Sequence, residues 1–135
     1  MDSDEILKSG IKVLAENNGI IYIEINKLVS DVASNIRQAE LINEQLLALL
    51  AAQPAKKFPV LVNLMPLGAQ ANFPSPQARR IFASMMDYGQ VGKIAVLVSN
   101  SLLRSIINFV SYLARKKDLE LFEDKEKALA WLREK

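Results

Sequence analysis

The chain contains neither cysteine nor histidine. That pair of absences removes disulfides, thiolate nucleophiles, imidazole bases and the usual zinc and copper ligands together. Glycine is sparse and scattered, five in 135 residues, so no Gly-rich phosphate cradle is formed. No metal and no cofactor is expected. The longest apolar run, LLALLAA at 46–52, is far short of the roughly 20 residues that span a bilayer. The first ten residues, MDSDEILKSG, are acidic and lack the basic start and apolar centre of a secretory signal. The expected location is therefore the cytoplasm. Seventeen Lys and Arg against fifteen Asp and Glu leave a net charge of +2, too small and too dispersed for a nucleic-acid footprint.

What is present is apolar: half of the residues, enough for one well-filled core and one domain over 1–135, with 1–10 as an N-terminal extension. IKVLA and IIYIEI are β-rich runs joined by ENNG, and an Asn-Asn-Gly turn supplies the positive φ of a tight hairpin. From about Ser30 to Gln53 the residues Val32, Ile36, Ala39, Leu46, Leu47 and Leu50 follow helical spacing, which leaves Leu41 facing outward. PVLVNL at 59–64 and KIAVLVS at 93–99 read as strands covered on both faces. Between them Ala78, Ile81, Phe82, Met85 and Met86 form a core-facing helix that Gly89 can end. This strand–helix–strand order predicts a parallel pair. A third helix is expected from about Ser101 to Lys117, then a strand LELF, then a helix capped by Asp124 with Ala128, Leu129 and Leu132 on one face and Trp131 at its edge. The expected fold is α/β, a mixed five-stranded sheet with about four helices in the order ββαβαβαβα.

With that order in hand, KFPVLVNL with ARRIF, KIAVLVSNSLLRSIINF and LFEDKEKALAWL resemble the bacterial STAS-like proteins related to the SpoIIAA anti-sigma factor antagonist. The resemblance spans roughly residues 11 to 134. It implies the SpoIIAA-like (STAS) fold and a binding or switching domain of signalling. In phosphorylatable members a serine or threonine in an Asp-Ser-Ser/Thr-Gly motif opens the helix after the third strand. Here that place holds GAQANFPSPQA, with no aspartate, no serine pair and no following glycine. Ser75 matches in position only, so neither phosphotransfer nor a partner kinase is carried over.

Ser75 before Pro76 fits an N-cap with proline at the first helical position. A phosphate on Ser75 would sit at the positive helix end with Arg79 one turn away. Arg79 and Arg80, opposite the apolar face, either bind an anion near the helix start or form a solvated face with snorkelling stems. In the third helix Leu102, Leu103, Ile106, Ile107, Phe109, Val110, Tyr112 and Leu113 cover roughly 220° of the circumference at 100° per residue. The remaining strip holds Arg104, Asn108, Ser111 and Arg115. One sheet face shelters only part of such a surface, which leaves a neighbouring helix, a second subunit, a lipid or a membrane to cover the rest. Asn43 falls inside the apolar stripe of the first long helix, where its amide needs partners. The acid pairs Glu123 with Asp124 and Glu24 with Asp31 are not placed in a cleft by any pattern, and AKKF and ARKK read as solvated charge runs.

These residues lead to a non-enzymatic STAS-like regulatory domain working through protein contact. Homodimerisation comes first, and a regulatory protein partner is a further option. The third helix would be the main interface and Ser75 to Arg80 a secondary surface. The alternative is a lipid or other apolar-ligand site, or a membrane-surface domain, with Arg104, Arg115, Lys116 and Lys117 meeting an anionic head group. An enzyme using Ser75 with a lysine or carboxylate is the third class, and it lacks a base near that serine.

Overall fold

Gly19, with φ of 84°, turns the chain back on itself between the first two strands. The Glu16 amide donates to the Ile20 carbonyl and the Gly19 amide to the Glu16 carbonyl, while Asn18 Oδ1 accepts from the Ile20 amide at 3.1 Å. This left-handed conformation is one that glycine adopts without steric cost. The computed structural model describes residues 3–27, 31–70, 75–98 and 118–134. Strands β1 (Ile11–Ala15) and β2 (Ile21–Ile25) form the expected hairpin, with Ile11 opposite Ile25 and Val13 opposite Ile23. Three further strands, β3 (Phe58–Asn63), β4 (Val91–Leu97) and β5 (Leu119–Phe122), extend it in parallel. The five-stranded mixed sheet has the order β1-β2-β3-β4-β5.

Four α-helices are present among the described residues: α1 (Asp4–Ser9), α2 (Val32–Ala52), α3 (Pro76–Met86) and α4 (Lys125–Arg133). A 3-10 helix at Met65–Gln70 follows β3. Helix α1 lies within the expected N-terminal extension, for which no helix was expected, so the described order begins with a helix. Six residues do not hold a helix alone in water. Here Ser3 caps α1, Leu7 is buried in the core, and Asp4 meets Arg37 of α2. Burying Leu7 is worth about 1.5–3 kcal/mol. The expected helix over 101–117, with all eight of its apolar residues from Leu102 to Leu113, lies outside the described residues.

The sheet is covered on both sides. Ile21, Ile23, Ile25, Val60, Ile94 and Val96 face the core shared with α1, α2 and α3. Leu61, Ala95 and Leu97 face the opposite way, onto Ala128 and Leu132 of α4. This two-sided burial explains the near-continuous apolar runs of β3 and β4. Gly92 lies against β3; a Cβ there would sit 3.3 Å from the Phe58 carbonyl oxygen, beside the register shift between Phe58 and Val60. Helix α4 is fastened at its end by Lys93, whose Nζ donates to the Trp131 and Glu134 carbonyls at 3.0 and 2.8 Å. Phe122 packs on Trp131 with ring centroids 5.7 Å apart.

Two local expectations need correction. Helix α2 is rotated from its expected stripe: Leu41 is 2 % exposed, whereas Val32 and Leu47 are 59 % and 42 % exposed. The inward face of its first half carries Ser34, Asn35 and Gln38, all buried. A stripe drawn through hydrophobic residues alone assigns those three to solvent and turns the helix away from Leu41. Helix α3 stops at Met86, and Gly89 sits in the turn to β4 instead of ending the helix.

Candidate functional site

Strands β2 to β5 run parallel, so they end on one edge of the sheet, and α2, α3 and α4 begin there. Asp31 caps α2 with its carboxylate accepting from the Ser34 amide at 2.8 Å. Asp124 caps α4, accepting from the Glu126 and Lys127 amides. Ser75 caps α3: its backbone is extended at φ −61° and ψ 161°, and Oγ accepts from the Ala78 amide at 3.2 Å. Pro76 takes the first helical position, where a missing N–H costs nothing.

The Ser75 cap is itself held. Its backbone amide donates to Oδ1 of Asn35 on α2 at 2.9 Å, and Asn35 is only 5 % exposed. Gln38, one turn further along α2, donates from Nε2 to the Lys27 carbonyl at 2.6 Å. Polar groups buried on α2 thus fix both the chain entering α2 and the start of α3, so the buried amide side chains are satisfied. Ser75 is half-buried, Pro76 and Gln77 are exposed, Arg80 is exposed and Arg79 is half-buried with interactions of its own. The three sequence-named residues Ser75, Arg79 and Arg80 are therefore together on one helix end. Arg80 faces solvent as expected, and Arg79 less so.

A second polar group lies on the far face of the same edge. Tyr22 Oη donates to Glu24 Oε1 at 2.5 Å and accepts from Asn63 Nδ2 at 2.9 Å. Asn63 Oδ1 accepts from the Met65 amide, which starts the 3-10 helix. Lys12 Nζ stands 3.8 Å from Glu24 Oε2. The Tyr22 hydrogen bond holds the Glu24 carboxyl below its ordinary range, against a smaller opposing effect of burial. Burial, followed by the Glu24 contact, pushes the Tyr22 phenol up. Sequence reasoning missed this group, although Tyr22 and Glu24 alternate with the buried isoleucines of β2 and so share a face.

The acid pairs are not brought together as catalysts. Glu24 is engaged by Tyr22, Asp31 and Asp124 are helix caps, and the backbone bond at Ser34 keeps the Asp31 carboxyl below its ordinary value. Among the described residues no group of three or more acidic side chains is placed to hold a metal ion, and no helix is long and apolar enough to cross a membrane. Asn43 is half-buried, and its Oδ1 accepts from Tyr88 Oη at 2.6 Å.

On the opposite edge, where the parallel strands begin, the end of α2 and the α3–β4 turn enclose an open depression of about 670 Å³. Its walls include Leu47, Pro54, Ala55, Lys56, Lys57 and Tyr88. Ala55, Lys56 and Lys57 of the AKKF run, expected as solvated charge, lie along it.

A family model described as a domain of unknown function, DUF7793, matches residues 14–135. Comparison with curated proteins gives no match, and comparison with solved structures gives none.

Proposed function

Because the chain belongs to the DUF7793 family, a premise that assigns no activity, we propose on the residues themselves that it is a non-enzymatic STAS-like regulatory domain of the cytoplasm. It works by protein contact, first with a second copy of itself, and the helix start from Ser75 to Arg80 is the surface through which that contact is tuned. The apolar set from Leu102 to Leu113 belongs to the proposal as the main contact on its sequence alone.

The observation that carries the reading is the bond between Asn35 and the Ser75 amide. It pre-sets the α3 start against α2, so that a partner meets an ordered surface and less entropy is lost on association. Ser75 Oγ is an acceptor at the positive helix end, where added negative charge is favoured. A phosphate there would keep the cap's acceptor role and bring about −1.5 to −2 charges beside the exposed Arg80.

Sedimentation velocity over a concentration series tests this. The unmodified chain should self-associate, and Arg80→Glu or Ser75→Glu should shift the series toward monomer while thermal melting remains cooperative. Identical sedimentation of all three proteins would remove the helix start from the contact.

A further inference from the structure

We propose that the depression at the end of α2 is a binding site for a small anionic amphiphile, a free molecule with an aliphatic body and a carboxylate head. The site lies on the edge opposite Ser75 and is independent of the contact reading above. Its volume of about 670 Å³ is within the range of roughly 300–1,000 Å³ found for small-molecule sites.

The walls supply the apolar part. Leu47, which the rotation of α2 leaves 42 % exposed, faces a surface continued by Ala51, Pro54 and Ala55. Tyr88 closes the other side. Its hydroxyl is already engaged by Asn43, so a ligand meets the ring without stranding a polar group.

The rim supplies the charge. Lys56 and Lys57 both border the depression, and among the described residues no acidic side chain lines it and neither lysine has a carboxylate within 4 Å. The Lys56 ammonium stands 4.8 Å from the Phe58 ring centroid, so its neighbour on that side is a ring and not a carboxylate. Lysines past a helix end commonly answer the negative pole of that helix. Here another group does so: Gln90 Nε2 lies 2.9, 2.8 and 3.1 Å from the carbonyl oxygens of Leu50, Gln53 and Lys56. Gln90 therefore occupies carbonyls that would repel an anion, and the helix end does not draw on either lysine. Two ammonium point charges beside an aliphatic wall offer charge and apolar contact together, which suits an anionic head on a hydrocarbon chain.

The test is a backbone-amide NMR titration of the whole chain with decanoate below its micelle threshold, with decanol and decyltrimethylammonium as neutral and cationic matches. Saturable shifts confined to residues 47–57 and 88–90, strongest for decanoate, are the expected result. Lys56→Ala with Lys57→Ala should weaken decanoate about tenfold, the scale of one charge-assisted hydrogen bond, and leave decanol unchanged. Leu47→Asp should abolish both. All three positions are exposed, so the variants should melt as the parent does. No saturable shift at these residues, equal binding of the three probes, or binding only to anionic phospholipid vesicles would each overturn the proposal.

Discussion

Asn35 and Ser75 stand 40 residues apart in sequence and are joined by a 2.9 Å hydrogen bond from the Ser75 amide to the Asn35 side chain. The bond ties the first turn of α2 to the cap of α3 at the edge where the parallel strands end. Asn35→Ala removes a buried acceptor and leaves that amide without its partner, which costs about 1–3 kcal/mol. Urea unfolding should show the loss as a lower midpoint with an unchanged slope. An unchanged midpoint would mean that the contact does not hold α3 in place.

Ser75 itself separates capping from other roles. Ser75→Ala should cost about 1 kcal/mol, whereas Ser75→Asp, an equally good N-cap, should lose only a few tenths. Equal destabilisation by both, measured by the same unfolding curves, would contradict the role of Oγ as acceptor for the Ala78 amide.

The rotation of α2 makes a sharp comparison. Leu41→Ala empties a core position that is 2 % exposed and should cost about 2–5 kcal/mol. Val32→Ala and Leu47→Ala, on exposed positions, should stay within about 0.5 kcal/mol. Thermal or urea unfolding of the three variants settles which face is inward.

Helix α1 should respond to acid. Two Arg37 nitrogens meet the two Asp4 oxygens at 2.9 and 2.8 Å, and this contact, foremost, lowers the Asp4 carboxyl from its ordinary 3.8. A lowered carboxylate contributes stability that is present above the unfolded value and is lost as pH falls through the folded one. Amide exchange over Leu7 to Ser9, corrected for its intrinsic pH dependence, should therefore lose protection as pH drops below about 4. Asp4→Asn should show the weaker protection at every pH.

The hairpin and the caps at Ser75 and Asp124 were legible in the sequence because their causes are local. An Asn-Asn-Gly turn, the Ser75-Pro76 pair and Asp124 each act within four residues, and β3 and β4 announce themselves by continuous apolar runs. The fold class and the mixed five-stranded sheet followed from that order. Helix α1 was not legible, since one inward leucine gives no period and its second anchor, Arg37, is 33 residues away. The buried amides of Asn35 and Gln38 were hidden for the same reason: each is polar by type and inward only because a distant backbone group meets it. Gln90 and the lysine rim likewise depend on the end of α2 arriving beside the α3–β4 turn, which no local pattern records.

The network of Tyr22, Glu24 and Asn63 gives a further prediction. Glu24→Gln removes the carboxylate that, after burial, most raises the Tyr22 phenol. Ultraviolet titration should show the Tyr22 transition moving down toward its ordinary value of 10.0. In the unmodified chain the raised phenol favours folding below that ordinary value and ceases to do so as pH rises through the folded one. The lowered Glu24 carboxyl favours folding above its ordinary 4.5 and ceases to do so as pH falls through its folded value.

Native mass spectrometry of the whole chain, set beside Arg80→Glu, bears most directly on the proposed contact with a second copy. A dimer is expected in the unmodified protein and a smaller dimer fraction in the variant, since a charge at the rim of an interface changes association without unfolding the subunit. A monomer at every concentration that stays soluble would contradict it.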